Sequence, residues 1–162
     1  MGSGSGYLVA VLHHLVSPGG KVVGIDHIQE LVDSSVDNLK MDGLDAALRS
    51  GEITMIVGDG RKGFSQSGAS HLSIPFCSSL ISSPQGPYDV IHVGAAAASL
   101  PKALVDQLAS PGRMFIPVGS PSQNIEIVDK DHNGNVEKKK IMGVRVSSYS
   151  FLVNKNAESM GR

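Results

Sequence analysis

The chain has 162 residues, 41% of them hydrophobic and 18% charged, which is the composition of one ordinary globular domain. Its formal net charge of −1 gives no electrostatic basis for binding nucleic acid or an anionic membrane. A single cysteine, Cys77, excludes a disulfide framework and a cysteine-rich metal site. We therefore expect a cytoplasmic protein that binds no nucleic acid, no membrane and no metal.

The chain begins with alternating glycines, Met1-Gly2-Ser3-Gly4-Ser5-Gly6. Such glycines let the backbone approach a ligand closely, and a helix predicted directly after them, over residues 7–16, presents free N–H groups at its start. A Pro-Gly-Gly stop signal follows this helix at residues 18–20. A Gly/Ser run is also typical of an expression linker, so the first six residues alone leave both interpretations open.

Strand-like and helix-like patterns alternate along the rest of the chain. We predict strands at residues 21–25, 53–57, 88–93 and 113–118, and helices at residues 28–39 and 101–108. A hairpin is predicted from residues 124–128 and 136–141 around the turn at 131–134, and a last strand from 143 to 153. The pattern predicts an α/β fold with an open sheet, helices on both faces and a C-terminal antiparallel hairpin.

Polar residues and glycines stand where three predicted strands end, namely Asp26, Asp59 and Gly94. Ligands of open α/β sheets bind at the carboxyl ends of strands, so these positions are expected to share one site. Taken singly, Asp26 is also explained as a helix N-cap and Asp59-Gly60 as a simple turn.

The glycine spacing separates two cofactor classes. A dinucleotide fingerprint is G-x-G-x-x-G, whereas this chain has G-x-G-x-G with Tyr7 at the third fingerprint position. The spacing disfavours an NAD-binding dehydrogenase and favours an S-adenosylmethionine enzyme.

Five motifs occur in order, and together they resemble the protein-L-isoaspartate O-methyltransferase family from residue 2 to about residue 144. The motifs are Gly2-Ser3-Gly4-Ser5-Gly6, Gly24-Ile25-Asp26-His27, Val57-Gly58-Asp59-Gly60-Arg61, Pro87 through Ala96, and Gly112-Arg113 with Ile116-Pro117-Val118-Gly119. The resemblance implies a Rossmann-like class I methyltransferase that transfers methyl from S-adenosyl-L-methionine to the carboxylate of isoaspartyl residues, leaving S-adenosyl-L-homocysteine. Its expected partners are isoaspartyl peptides and damaged proteins, and a monomer is expected.

The resemblance also implies roles for individual residues. The glycine loop is expected to hold the cofactor, Asp26 to accept hydrogen bonds from its ribose, His27 to flank the pocket and Asp59 to meet the adenine edge. The implied cofactor-binding set is Gly2, Ser3, Gly4, Ser5, Gly6, Asp26, His27, Asp59, Gly60 and Gly94. Ser150 is matched loosely to a substrate-contacting threonine of the family.

The sequence departs from the family pattern before the glycine loop. The family's N-terminal segment, which supplies an active-site serine, and its first strand, which lies mid-sheet, are not found, so no catalytic residue is assigned. We expect an N-terminally truncated domain over residues 1–154, a disordered insertion at 65–86 and a flexible tail at 155–162. The alternative interpretation is an inactive family member that binds cofactor or a protein partner.

Overall fold

The computed structural model describes residues 1–64 and 86–146. Within these ranges it has four helices, six strands and one 3₁₀ turn at Gly60–Lys62. The helices are α1 Tyr7–Val16, α2 Gln29–Met41, α3 Asp45–Ser50 and α4 Lys102–Gln107. The strands are β1 Val22–Asp26, β2 Ile53–Val57, β3 Tyr88–His92, β4 Leu108–Val118, β5 Gln123–Lys130 and β6 Val136–Val144.

The predicted strand at 53–57 and helix at 7–16 have the bounds that the sequence indicated, and most other elements shift by one to three residues at an end. The sequence pattern did not indicate α3, which is a six-residue helix too short to show a helical period. The predicted strand at 113–118 starts too late, because the chain is already extended from Leu108 through Ser110, Pro111 and Gly112 to Val118. These residues fit inside β4 at an irregularity of register, where the partners of Tyr88 and Val90 are Leu108 and Arg113.

The predicted separate strand at 143–153 is wrong at its start. Gly143 belongs to β6, where it pairs with Asn124, so the second hairpin strand simply continues. Residues 147–153 of that prediction lie outside the described residues, as do residues 65–85 of the expected insertion, Ser150 and the tail at 155–162.

The described strands form two hydrogen-bonded ladders. β1 and β2 pair in parallel, with Val22 opposite Ile53 and Asp26 opposite Val57. The second ladder has the order β3-β4-β5-β6, in which β3 and β4 are parallel and the other pairs are antiparallel. Among the described residues no ladder pairing joins β1 to β3.

Each ladder has its own hydrophobic core. The first core surrounds Leu39 and Ile53 and is closed by α1, α2 and α3. The second core surrounds Leu104, Met114 and Ile116 between α4 and the four-stranded ladder. This arrangement leaves the carboxyl ends of β1 and β3 facing a common region, where the glycine loop lies.

Candidate functional site

The glycine loop bridges the carboxyl ends of β1 and β3. Gly2 and Ser3 donate backbone N–H bonds of 2.8 and 3.2 Å to the Ile25 carbonyl at the end of β1. On the other side, the Met1 ammonium donates to the His92 carbonyl at 2.7 Å. The loop is therefore fixed by backbone contacts to both strands before it enters α1.

Gly94 lies against this loop, as the sequence predicted. Its N–H donates to the Met1 carbonyl at 2.8 Å. A Cβ at Gly94 would lie 3.2 Å from the Gly2 carbonyl oxygen, closer than most real Cβ contacts, so only glycine permits this approach without a shift. The predicted meeting of the loop with the end of β3 is thus present as a direct contact between Gly2 and Gly94.

Asp26 joins β1 to the loop through its carboxylate. One oxygen accepts from the Gly4 N–H at 3.1 Å, and the other accepts from His27 N–H at 2.8 Å and Ile28 N–H at 3.3 Å. The side chain is buried. The N-cap of α2 is Ile28, which makes no side-chain cap bond, so Asp26 lies just ahead of the helix rather than at its cap. Each carboxylate oxygen has two lone-pair positions, so the oxygen facing Gly4 retains one for a ligand hydroxyl.

His27 and Ser5 lie at the outer rim of the loop. The His27 ring is more than half exposed, and its Nδ1 lies 3.3 Å from the Asp26 carboxylate. The Ser5 carbonyl accepts from the Asn38 side-chain amide at 2.9 Å, which ties the loop to α2. His27 therefore lies beside the Asp26 carboxylate.

Ser3 carries a polar atom without a partner. Its hydroxyl oxygen is buried, and among the described residues it has no hydrogen-bond partner. A buried hydroxyl that is not hydrogen-bonded costs about 1–3 kcal/mol. A polar ligand group against the loop would satisfy it, so the loop fits a ligand with polar functions.

Asp59 is already engaged by a neighbouring side chain. Its carboxylate accepts two side-chain bonds from Arg61, at 2.8 and 2.7 Å, and the Arg61 N–H at 3.1 Å as the cap of the 3₁₀ turn. The Arg61 guanidinium holds the pKa of Asp59 below its ordinary value. Asp59 therefore has the local geometry of a turn. The adenine contact expected from the resemblance would have to use carboxylate lone pairs that do not accept from Arg61.

Gly60 completes the site at the end of β2. It is buried, and a Cβ there would lie 2.8 Å from the end of the Met1 side chain. Met1 therefore touches both Gly60 and Gly94, although sequence analysis gave it no role. No sequence motif includes this methionine, so only the contacts in the folded chain show that it lies at the site.

His92 and Phe115 form the adjoining wall. Their rings stack with centroids 5.5 Å apart. Burial and the nearby N-terminal ammonium lower the pKa of His92.

The described helices include none long and apolar enough to cross a membrane, and no cluster of three or more potential metal-binding side chains occurs in the described ranges.

Parallel strands whose ends carry a glycine loop and a buried acid define the Rossmann-like class of α/β domains. The model of the protein-L-isoaspartate(D-aspartate) O-methyltransferase (PCMT) family matches residues 1–75 and 82–155, so the chain belongs to this family. The predicted family and class I methyltransferase fold are confirmed.

Relatives and solved structures agree with this assignment. Protein-L-isoaspartate O-methyltransferase 1 of Arabidopsis thaliana is 38% identical over 161 residues, covering 99% of this chain and 61% of the relative. The Triticum aestivum enzyme is 37% identical over 158 residues, covering 98% of this chain and 60% of the relative. A beta-aspartate methyltransferase (PCMT) from Plasmodium falciparum, in complex with S-adenosyl-L-homocysteine, superposes with a TM-score of 0.70 at 28% identity, covering 92% of this chain and 63% of that one. The chain thus spans about three fifths of the length of these proteins.

Proposed function

We propose that this chain carries the cofactor-binding part of a protein-L-isoaspartate O-methyltransferase and transfers methyl to isoaspartyl carboxylates. The observation that carries the proposal is the Asp26 carboxylate, which binds the Gly4 N–H at 3.1 Å and so fixes the glycine loop at the end of β1. Family membership and the S-adenosyl-L-homocysteine bound by the Plasmodium falciparum protein support S-adenosyl-L-methionine as the cofactor.

The residues present fit that cofactor. The unsatisfied Ser3 hydroxyl suits its polar amino-acid end, and the free lone pair of Asp26 suits a ribose hydroxyl. Gly94 leaves room for a close approach to the loop. When bound, S-adenosyl-L-methionine supplies an electrophilic methyl group on its sulfonium.

Methyl transfer depends mainly on how the substrate carboxylate and the cofactor methyl group are positioned. A substrate carboxylate is ionised at neutral pH and needs no strong base, so rate depends on holding its oxygen in line with the methyl group. The protein's part is to fix the loop that holds the cofactor, through the bonds to Ile25, Asp26 and His92.

The test separates binding from transfer. We expect the chain to bind S-adenosyl-L-homocysteine in calorimetry and to transfer radiolabelled methyl to an isoaspartyl peptide but not to the aspartyl control. Asp26→Ala should lose at least about tenfold in cofactor affinity, since a charged hydrogen bond contributes about 1.5–3 kcal/mol; Asp37→Ala, on the exposed face of α2, should not. Binding without transfer would instead support the inactive, cofactor-binding member of the family.

Location, domain extent and assembly belong to the same proposal. We infer a cytoplasmic monomer acting on isoaspartyl proteins, without nucleic acid, whose single domain spans residues 1–154. The single cysteine is compatible with a reducing compartment, and the family match to residue 155 supports the domain extent. Sedimentation equilibrium tests the monomer.

A further inference from the structure

The tip of the hairpin between β5 and β6 carries the only Asn-Gly pair of the sequence. Asn133 and Gly134 lie in the turn that joins the two strands, and both are exposed. Gly134 has φ of 83°, and no heavy atom outside its neighbouring residues lies within 4 Å of the position that a Cβ would take there. The main-chain nitrogen of Gly134 is therefore free of the crowding that a side chain after Asn133 would bring.

An exposed Asn-Gly pair can close a ring within the chain. The Gly134 nitrogen attacks Cγ of Asn133 and forms a new N–C bond, while the Cγ–Nδ2 bond breaks and ammonia leaves with the proton that the Gly134 nitrogen gave up. The two groups belong to neighbouring residues, so the rate depends on local geometry rather than on an encounter in solution. Water then opens the resulting succinimide at either carbonyl carbon, which leaves an aspartyl or an isoaspartyl residue in place of Asn133.

In the folded hairpin the attacking nitrogen is already engaged. Gly134 N–H donates to the Asp131 carbonyl at 3.0 Å, and this bond must break before the nitrogen gives up its proton. The Asp131 carboxylate fixes the backbone on both sides of the pair, because its Oδ1 accepts from Asn133 N–H and from Asn135 N–H, each at 2.8 Å. Rotation of Asn133 towards the ring-closing geometry would strain or break these bonds.

The same carboxylate remains charged at neutral pH. Its Oδ2 accepts from the Asn135 side-chain amide at 2.8 Å. That bond, followed by those from the backbone, lowers the pKa of Asp131, so the acceptor keeps its charge where ring closure proceeds. Among the described residues, these bonds engage Asn133 only through its backbone, which leaves its side-chain Cγ accessible at the exposed tip.

The other described asparagines lack this combination of features. Asn38 lies inside α2 and Asn124 lies inside β5, where regular backbone hydrogen bonds hold the chain. Asn135 follows the pair directly, but its side-chain amide already donates to Asp131. All three precede a residue with a branched apolar side chain, which hinders attack by the nitrogen of that residue. They therefore serve as internal controls.

We propose that Asn133 is a site of spontaneous deamidation in this chain and that Asp131 is the residue that restrains it. Both products carry one more negative charge than asparagine. The isoaspartyl product also lengthens the main chain by one methylene at the turn, where Asp131 N–H donates to the Asn135 carbonyl at 2.9 Å. The modification thus acts on the closure of the hairpin, and it does not rest on the proposed methyl transfer because ring closure needs no cofactor.

The test follows deamidation of the whole chain at mildly alkaline pH, by peptide mapping and mass spectrometry. Electron-transfer fragmentation distinguishes the aspartyl from the isoaspartyl product. Asp131→Ala removes the carboxylate bonds of the turn, whereas Asp129→Ala removes an acid of the same hairpin that is bonded to Arg113 instead. Circular dichroism checks that both variants fold, and the parent chain unfolded in urea gives the rate of the unrestrained pair.

We expect deamidation at Asn133 ahead of the three other described asparagines, with both products present. Asp131→Ala should deamidate Asn133 about threefold faster or more, towards the rate in urea, since bonds to a charged group stabilise the closed turn. Asp129→Ala should match the parent. Equal rates in the parent and Asp131→Ala, or another described asparagine that deamidates as fast as Asn133, would overturn the proposal. S-adenosyl-L-methionine is left out, so that methylation cannot alter the products and the result is independent of the proposed function.

Discussion

At the scale of single residues, Asp59 shows how a local ion pair lowers the pKa of a candidate ligand-binding side chain. Its pKa lies below the ordinary value mainly because of the side-chain bonds from Arg61. We expect Arg61→Gln to raise the pKa of Asp59 towards the ordinary value of about 3.9. An NMR titration of the Asp59 carboxyl carbon measures this change.

The sign of the stability effect follows from linkage. A carboxylate whose pKa is lowered by folding stabilises the fold above its unfolded pKa, and this contribution is lost as pH falls through the folded value. The stability difference between parent and Arg61→Gln should therefore be full above about pH 4 and shrink at lower pH. Arg49→Gln, which removes the helical partner of Asp45, is the control and should leave the Asp59 titration unchanged. If the pKa of Asp59 is the same in Arg61→Gln as in the parent, the guanidinium is not the cause of the lowered pKa.

The residue scale also shows where sequence reasoning succeeds and stops. The placement of Asp26, Gly94 and the glycine loop at strand ends could be predicted because strand ends and glycine spacing are local patterns. The bond from Gly4 to Asp26 spans 22 positions, and the approach of Gly94 to Met1 spans more, so neither distance follows from local patterns. The engagement of Asp59 by Arg61 is local and was missed for a different reason, since the sequence alone does not choose between a turn partner and a ligand.

At the scale of elements, Gly6 fixes how α1 starts against α2. It is the N-cap of α1 with φ of 84°, and a Cβ there would lie 3.1 Å from both the Cβ and the carbonyl oxygen of Ser35. Gly51, which follows α3, has φ of 79° but no heavy atom within 4 Å of its would-be Cβ. The two glycines thus have nearly the same dihedral strain and different surroundings.

We expect Gly51→Ala to lower the free energy of unfolding by about 1–2 kcal/mol, the cost of a left-handed alanine. Gly6→Ala should lower it by more, because the helix pair must also move apart. Urea unfolding followed by circular dichroism measures both. Equal losses in the two variants would mean that the contact between α1 and α2 at Ser35 is not tight.

Element boundaries were predicted best where chemistry marks them. The Pro-Gly-Gly stop ends α1, and the β-branched run at 53–57 gives β2 its bounds. The helix α3 was not predicted because six residues show too little periodicity. The start of β4 was misplaced because Pro111 is accommodated by an irregularity of register that arises only when β4 pairs with β3. Pairing partners, which lie far apart in sequence, decide these cases.

At the scale of the whole molecule, two cores are joined by a few identifiable hydrogen bonds. The glycine loop connects Ile25 to His92, and the Gln107 side chain exchanges two bonds with the Phe64 backbone, at 3.0 and 2.7 Å. In the described residues no ladder pairing joins β1 and β3, and these hydrogen bonds link the two cores instead.

Weakly joined cores should open separately. Leu39→Ala in the first core and Ile116→Ala in the second each remove a fully buried side chain, at a cost of about 2–5 kcal/mol. We expect each variant to speed hydrogen exchange mainly in the strands of its own core, measured by mass spectrometry in low urea, because sub-global opening follows local cooperative units.

A uniform increase in exchange across β1, β2, β4 and β5 in both variants would contradict this picture and show one cooperative unit. Gln107→Ala distinguishes the two cases further, since it removes a link and leaves both cores intact. If the links transmit stability, this variant should reduce the response of each core to a substitution in the other. Among the described residues, the loop at Met1 to Ser3 would then be the hydrogen-bonded link that remains between the cores, so the order of the candidate site depends on how firmly the two halves hold together.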